Sequence, residues 1–375
     1  MKSVLKWLWI VGAPLGVFSG EYESSSQKLN QSIEQAALCC WPETITSATI
    51  DKGFIAQGSY LYWQAKEGGL EYIQRVDLAT NSPPGVVLAD TQPFEPDSKW
   101  TSGFRVALGY IFSARSQWDL SLNWTSFHSE ASNVLQADDP TLSTQMLRPT
   151  WLPFLMGTGA SFGSVHWNLK YDIVNLALGR EFFLGKWLSF HPQVALIGGW
   201  IDQSYRAAYQ GFSASSGALS PIGDTGYKAD WDYHAMGLRM GTDASWHITR
   251  QFALVANGFF SILYGKYSLH ETFQGAFFPQ PSFLIHETIH FNDQYYRLRP
   301  ALETEIGVSW GRFFDNDKRR VSLGAYYGFT YWFEQNAMVN EFVILDSNFN
   351  SFVTLLPTQG DLQLQGLRIE AQLDF

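Results

Sequence analysis

A strict alternation of apolar and polar residues recurs in segments of about ten residues along most of the chain. Successive side chains of a β-strand point to opposite faces, so each segment predicts a strand with one apolar and one polar face. Ten such segments can be counted between residues 53 and 375. The clearest is QWDLSLNWTSF, whose apolar positions are Trp118, Leu120, Leu122 and Trp124.

The connections between these segments alternate in length. Short links at 113–116, 179–186, 247–250 and 311–319 separate long ones near 67–98, 130–162, 202–228, 266–293 and 334–360. Outer-membrane barrels have short periplasmic turns and longer extracellular loops, and their strands carry lipid-facing and lumen-facing residues in alternation. We therefore predict an all-β fold, an antiparallel transmembrane β-barrel of about 10 strands. Twelve strands are the alternative, because LEYIQRVDL, SYRAAYQGF and LIHETIHF are also prone to form strands.

The first residues carry the features of a secretory signal peptide. Lys2 and Lys6 precede a short apolar core, and small residues follow at the positions of a cleavage site. We expect residues 1–19 to be a cleaved signal peptide, 20–52 a periplasmic segment, and 53–375 the barrel in the bacterial outer membrane. Cys39 and Cys40 are adjacent, which disfavours a bond between them and leaves intermolecular disulfides as an expectation.

The charged residues exclude nucleic acid as a partner and predict which side chains line the interior of the barrel. The formal net charge of -10 and the lack of a basic run exclude nucleic acid. The polar strand faces carry charges of both signs, which either line a narrow pore or fill it as ion pairs. The predicted pore-lining residues are Arg105, Asp119, Lys170, Asp172, Arg239, Asp243, Arg297, Arg299, Glu303, Glu305, Arg368 and Glu370. The long proline-containing connection 130–162 is the predicted constriction loop.

Two patterns in the sequence contain residue types that can carry catalysis. HETIH, from His286 to His290, matches a zinc-protease motif, but that chemistry needs a helix and this context favours a strand, in one arm of an external hairpin. The other pattern is a set of acids in or near the predicted loops: Asp138, Asp139, Asp202, Asp224 and Asp230. Paired carboxylates can act as general acid and base, so an outer-membrane hydrolase with a rim-sited active site is an alternative function. We predict no catalysis, no cofactor and no metal.

Several stretches together resemble the Legionella-type major outer membrane proteins, whose relatives include porin-like proteins of chlamydia-related bacteria. They are GFIAQGSYLYWQAKEGGLEY, YDIVNLALGREFFLG, WIDQSY, RLRPALETEIGVSW, GAYYGFTYWFEQN and GDLQLQGLRIEAQLDF. The resemblance implies a pore-forming outer-membrane barrel. We expect this barrel to allow passive diffusion of small hydrophilic solutes, as a monomer or as a homo-oligomer. A closed structural or adhesin barrel is the alternative.

The last segment, GLRIEAQLDF, predicts the strand that closes the barrel. Its apolar face resembles the signal by which the bacterial barrel-assembly machinery recognises its clients. The residues of this expected assembly signal, which would face outer-membrane lipid, are Leu367, Ile369, Ala371, Leu373 and Phe375.

Overall fold

Ten long strands form a closed antiparallel barrel in the computed structural model of the chain. They are β1 (Gly53–Glu67), β2 (Trp100–Ile111), β3 (Trp118–Gln136), β4 (Phe162–Arg180), β5 (Leu188–Gln210), β6 (Thr225–His247), β7 (Phe252–Gln280), β8 (Phe283–Phe314), β9 (Arg319–Trp332) and β10 (Leu362–Asp374). Each pairs with the next along the chain, and β1 also pairs with β10. The predicted all-β barrel of about ten strands is confirmed.

The structure describes residues 53–78, 89–112, 117–138, 145–151, 158–211, 213–214, 225–280, 283–314, 319–345 and 351–375. These residues belong to one compact unit, Ala48–Phe375. The predicted signal peptide, the periplasmic segment, Cys39 and Cys40 lie outside them. No helix in the described part of the chain is long and apolar enough to cross a membrane.

The outer face of the barrel is a band of exposed large apolar side chains, because every strand keeps its alternation in the same phase across this zone. Each strand contributes at least one of them: Phe54, Leu108, Leu122, Leu178, Leu196, Leu238, Ile262, Ile306, Leu323 and Ile369. Aromatic side chains lie at both margins of the band, as expected at membrane interfaces. Trp118 and Trp246 are at the margin near the short turns, and Trp124 and Trp200 are at the opposite margin.

The last strand continues this outer face to its end. Leu367, Ile369, Leu373 and Phe375 are exposed on the outside of β10. The Phe375 amide donates to the Phe54 carbonyl oxygen at 2.9 Å, and the Phe54 amide donates in return at 2.7 Å. The lipid-facing orientation of this segment is therefore as expected, while its role as an assembly signal stays a prediction.

Two of the segments predicted as long loops are largely strand. β7 and β8 have 29 and 32 residues, and paired strand occupies most of 266–293. In 202–228 the described residues are also mostly strand: β5 continues to Gln210, and β5 and β6 are paired from Tyr209 opposite Thr225 toward the membrane. At about 3.3 Å per residue, residues 265–280 carry the β7–β8 hairpin roughly 50 Å along the strand beyond the lipid-facing band. LIHETIHF and SYRAAYQGF thus lengthen barrel strands instead of adding a pair.

Further short strands lie above the barrel or beside its strands. Ile73–Leu78, Ala89–Phe94 and Gln145–Pro149 form a three-stranded sheet, hereafter the cap sheet. Val339–Leu345 pairs with Ser351–Pro357, and Thr158–Gly159 pairs with Ser213–Ala214. Asp97–Ser98 extends the sheet beside β3, and Phe182–Leu184 does so beside β5.

Candidate functional site

The half of the barrel interior next to the short turns contains a cavity of about 310 Å³. Short turns of outer-membrane barrels are periplasmic, so we call this half the periplasmic half and the other the extracellular half. The cavity is polar because the strands place every second residue inward, and these residues are charged or amide-bearing at most positions. Among its lining residues are Gln57, Arg105, Asp119, Asn123, Asn175, His191, Gln193, Arg239, Asp243, Asn257, Glu303, Glu305, Arg320, Arg368, Glu370 and Gln372.

Glu303 joins two arginines across the lumen. Its Oε1 accepts from Nη2 of Arg105 at 3.0 Å, and its Oε2 accepts from Nη2 of Arg239 at 2.7 Å. The Arg239 guanidinium also lies 3.6 Å above the centre of the Phe259 ring, which adds a cation–π contact. Arg105 comes from β2, Arg239 from β6 and Glu303 from β8, so this group ties together three distant parts of the wall.

Glu305 forms a second, adjoining group. It accepts from Nη2 of Arg368 at 2.6 Å and from Nε of the same residue at 3.0 Å, a bidentate pair. Asn257 donates to it at 3.2 Å, and Arg105 approaches within 3.7 Å. Arg368 in turn pairs with Glu370. Three arginines and three glutamates are therefore connected through shared contacts in the middle of the barrel; we call this set the arginine–glutamate network.

A histidine between two aspartates lies nearer the periplasmic end. Nε2 of His191 is 2.6 Å from Oδ1 of Asp119, and its Nδ1 is 3.5 Å from Oδ2 of Asp243. Gln193 contacts both His191 and Asp243. Asp119 and Asp243 are among the predicted pore-lining residues, whereas His191 and Gln193 are not. Their alternation with exposed Val194 and Leu196 was the available signal, because it gives them the same inward phase.

Eight of the predicted pore-lining residues face this cavity: Arg105, Asp119, Arg239, Asp243, Glu303, Glu305, Arg368 and Glu370. Arg297 and Arg299 share their inward phase but lie farther toward the extracellular side. Arg299 is buried, pairs with Glu334 at 2.8 Å and donates to the Tyr267 hydroxyl. Arg297 is exposed, with its guanidinium 4.9 Å from the centre of the Tyr295 ring.

The inward assignment of Lys170 and Asp172 is wrong. In β4 the odd-numbered residues face inward, and Trp167 and Tyr171 are buried there, whereas Lys170 is exposed on the outside. Asp172, also on the outside, accepts from Nε1 of Trp124 at 3.2 Å, at the aromatic margin. The physical reason is that this part of β4 lies beyond the lipid-facing band. The outer surface there is polar and the interior is apolar, so the rule that apolar means outward is reversed.

The extracellular half of the interior is filled by a single cluster of buried apolar and aromatic side chains. Eight strands contribute large members, and β8 contributes Ala301; β2 alone contributes none to the buried cluster. Its largest fully buried members among the barrel strands are Leu61, Phe127, Trp167, Tyr205, Tyr209, Trp231, Tyr233, Tyr267 and Trp332. We call all the members of this cluster that come from barrel strands the aromatic core. Side chains at the density of a protein interior leave no continuous water path where they meet.

The cap sheet closes the same end from above. Leu70, Ile73, Leu147 and Trp151 are buried in the same apolar cluster as the aromatic core. Tyr205 and Tyr209 donate to the carbonyl oxygens of Leu70 and Tyr72 at 3.3 and 2.7 Å. Burial raises the pKa of Tyr72 to about 12, so its hydroxyl stays neutral.

Trp151 links the cap to the barrel wall. Its ring is stacked on Tyr227 with centres 4.8 Å apart, and its Nε1 donates to the Glu71 carbonyl oxygen at 3.0 Å. Residues 145–151 belong to the predicted constriction loop, and this part of it does cover the mouth. Residues 139–144 and 152–157 of that loop lie outside the described residues.

Of the predicted rim acids, the structure describes Asp138, Asp202 and Asp230, and these three do not come together. Asp202 and Asp230 lie on the outer face of β5 and β6, where they pair with His234 at 3.2 Å and with Lys228. Asp138 is exposed, and Asp139 and Asp224 are outside the described residues. HETIH lies in β8 within the predicted external hairpin, with His290 opposite Thr272. In the described ranges, no group of three side chains is arranged to hold a metal ion.

A comparison with family models decides the family. The model described as Legionella pneumophila major outer membrane protein precursor matches residues 46–375. The chain belongs to this family. The resemblance noted in the sequence is thereby confirmed, and membership together with the barrel places this family member in the bacterial outer membrane. No curated protein gives a match.

Several solved structures are similar to this family member. The outer membrane protease OmpT from Escherichia coli is 12% identical, with 89% of this chain and 99% of that chain covered and a TM-score of 0.36. A FadL homologue of Pseudomonas aeruginosa is 7% identical, with 87% and 90% covered and a TM-score of 0.23. The translocator domain of NalP from Neisseria meningitidis is 8% identical, with 94% and 98% covered and a TM-score of 0.23. At these TM-scores the similarities carry no argument about function.

Proposed function

We propose that this protein is a pore-forming outer-membrane protein that lets small hydrophilic solutes diffuse passively, and that the described conformation is its closed state. The observation that carries the proposal is the polar cavity of about 310 Å³ inside the periplasmic half of the barrel. A barrel whose interior only had to be filled could use apolar side chains there, as the extracellular half does. Charged lumen residues instead suit the passage of water and polar solutes.

Transport would need no energy source and no chemistry, and the proposal assigns the protein no catalysis. Solutes would cross the arginine–glutamate network, where charges of both signs sit side by side and select against large or strongly charged molecules. Opening requires the cap sheet to leave the mouth and the aromatic core to rearrange. The hydrogen bonds from Tyr205 and Tyr209 to the cap couple these two movements.

The expected partners form part of the same proposal. Outer-membrane lipid would surround the apolar band, and the barrel-assembly machinery would recognise the outward residues of β10 that end at Phe375. A homo-oligomer is compatible with this arrangement, and intermolecular disulfides through Cys39 or Cys40 stay an expectation from the sequence. Cleavage of residues 1–19 as a signal peptide would deliver the chain to the periplasm.

A closed structural barrel is the second candidate, and the aromatic core is the observation that favours it. Barrels of eight strands fill their interior with side chains, while much larger barrels hold a channel. A ten-stranded barrel lies between these limits, and here one half is filled. In this candidate the long external hairpins, such as β7–β8, would be the functional surface.

Planar-bilayer recording of the purified protein separates the two. We expect the wild-type protein to give brief current steps, and Trp151→Ala to increase the fraction of time spent open, because this substitution removes the stacking on Tyr227. Trp118→Ala, on the lipid-facing side, is the matched control and should not change the open fraction. If folded wild-type protein and folded Trp151→Ala are both silent, the pore proposal is wrong and the scaffold is favoured.

A further inference from the structure

A second cavity, of about 570 Å³, lies at the extracellular rim. It occurs because β2 begins at Trp100, while its neighbours β1 and β3 continue beyond that level. The gap between them is filled by the segment that leads to Asp97–Ser98, which pairs with Ala131 and Ser132 of β3. The amide of Gln64 on β1 donates to the carbonyl oxygen of Ser98 at 2.9 Å and holds that segment in place.

The unusual group in this cavity is the carboxylate of Glu67. The residue is the last of β1, faces inward, lines the cavity and is only 5% exposed. Neither of its carboxylate oxygens makes a hydrogen bond, and both are closed to solvent, so a ligand in the cavity reaches them only when the Glu67 side chain turns toward it. A buried ionised carboxylate without donors is strongly disfavoured, and protein structures normally provide it with a partner.

The nearest favourable neighbour does not satisfy it. Gln203 lies beside the carboxylate, but the amide nitrogen of Gln203 also makes no hydrogen bond, and its oxygen accepts from Nε1 of Trp167 at 2.9 Å. A small shift would let this amide donate to one oxygen of Glu67, and the other oxygen would still lack a donor. Burial is the largest cause that raises the pKa of Glu67 well above its usual value, and the nearby Asp361 adds to it.

The rest of the cavity wall is negative and partly aromatic. Glu95 and Asp97 lie at its mouth, and the lining contains one lysine, Lys66. Trp167 lines part of the floor. Its side chain is 1% exposed, so a cation or an apolar body contacts the indole ring only after neighbouring side chains, such as that of Glu67, move aside. A volume of this size is in the range of small-molecule sites, and the mostly polar wall suits a polar or charged ligand.

We propose that the rim cavity binds a small organic cation, with its ammonium or guanidinium group on the Glu67 carboxylate and its body along Trp167. Such a group supplies the missing donors and the compensating charge together, as a charge-assisted hydrogen bond. A bare divalent cation fits less well, since the described part of the chain holds no group of three metal-ligating side chains. The site does not depend on conduction, so it stands or falls separately from the proposed pore.

Titration calorimetry of the folded full-length protein in detergent tests the site with cadaverine as the probe. 1,5-Pentanediol, which has the same length and no charge, is the matched control ligand. We expect saturable binding of cadaverine only, with protons released on binding at pH 7, because the cation converts Glu67 to its charged form. Glu67→Gln should weaken cadaverine binding by about tenfold or more, since a hydrogen bond between charged groups is lost.

Glu130→Gln is the control variant, because Glu130 is an exposed glutamate on the outer face of the neighbouring β3. It should leave cadaverine binding unchanged. Glu95→Lys, at the exposed mouth, is the second test, which needs no change in the buried wall and should also weaken binding. Folding of each variant is verified by its heat-dependent migration in SDS gels.

Three results would overturn the site. Equal binding of pentanediol and cadaverine would show that charge plays no part. Unchanged cadaverine affinity in folded Glu67→Gln would remove Glu67 from the contact. A saturable binding heat on titration with calcium chloride alone, if it is lost in Glu67→Gln, would identify a metal site instead.

Discussion

At the scale of single residues, the interior of the barrel holds carboxylates in two opposite situations. Glu303 lies between Arg105 and Arg239, so its charge is matched by two cations at hydrogen-bonding distance. Glu67 is buried with no hydrogen bond to either oxygen. A glutamate therefore stabilises the folded barrel at position 303 and destabilises it at position 67. Substitution of each by glutamine should change the free energy of unfolding in opposite directions.

Glu303→Gln should shift a conducting pore toward anions, because it removes a negative charge and leaves the positive charges of Arg105 and Arg239 unbalanced. We expect the chloride-to-potassium permeability ratio to rise on the order of twofold or more. The reversal potential across a potassium chloride gradient measures this. The folded barrel should also lose about 3 kcal/mol in urea titrations, since the buried Arg239 loses its carboxylate partner and Arg105 keeps only its 3.7 Å contact with Glu305. Exposed Glu130→Gln should change neither quantity, and an unaltered reversal potential in conducting Glu303→Gln would contradict the assignment of this residue to the pore.

Glu67→Gln should instead stabilise the ligand-free barrel, and the gain should depend on pH. The pKa of Glu67 is higher in the folded protein than in the unfolded chain, so the folded state binds more protons between the two values. Wild-type stability then falls as the pH rises through this window. The variant should be more stable than wild type at pH 8, with the difference shrinking as the pH falls toward about 4, near the unfolded pKa. Urea unfolding followed by tryptophan fluorescence provides the comparison, and a difference that does not vary with pH would argue against the buried charge.

At the scale of strands, the alternation in the sequence predicts which face is inward wherever the strand crosses lipid. In β8, for example, Glu303 and Glu305 face inward and Leu302 and Ile306 face outward, as the pattern indicates. The rule fails where a strand continues beyond the membrane, because water then wets the outside and side chains pack inside. In β4 the sequence offers Trp167 and Tyr171 against Lys170 and Asp172, which looks like lipid against lumen. Only the register with β3 and β5 reveals that this stretch lies above the band.

Neighbouring cysteine variants in β4 test this reversed orientation. Lys170→Cys should react rapidly with a membrane-impermeant maleimide added to intact cells, because Lys170 is exposed on the outer surface. Tyr171→Cys, one residue along the same strand, should be protected, because Tyr171 is buried in the aromatic core and only 5% exposed. Labelling is measured by gel shift against the denatured protein, where both react. The reverse order of reactivity would restore the original assignment of Lys170 to the lumen.

At the scale of the whole molecule, the barrel has two interiors with different chemistry. The periplasmic half could be predicted in large part, because lone charges such as Arg105 and Arg368 stand out in apolar segments. The aromatic core could not, since Trp and Tyr are common both at membrane interfaces and in protein interiors, and composition alone does not separate these places. The cap sheet was equally hidden, because its pairing joins Ile73–Leu78 to the distant Gln145–Pro149. The rim cavity follows from the unequal heights of neighbouring strands, which only the assembled sheet reveals.

The two interiors also imply that the aromatic core, and not the arginine–glutamate network, is the main barrier to solutes. Trp167→Ala combined with Trp231→Ala removes two fully buried rings from the core and should open a path from the polar cavity to the rim. Liposomes containing the double variant should swell in isotonic arabinose at a clearly higher initial rate than wild-type liposomes. Each substitution of a buried tryptophan by alanine lowers the free energy of unfolding by about 3–5 kcal/mol. The assay is therefore restricted to protein whose folded state is verified by heat-dependent gel migration.

The matched control is Trp118→Ala combined with Trp246→Ala, which removes two rings from the lipid-facing margin and should leave swelling at the wild-type rate. If liposomes with the folded core variant swell no faster than wild-type liposomes, the barrier to solutes lies in the arginine–glutamate network. Its buried pairs, such as Arg368 with Glu305, would then act as filling that holds the wall together. A barrel closed in both halves would leave the external hairpins as its functional part, because solute passage requires an unfilled lumen.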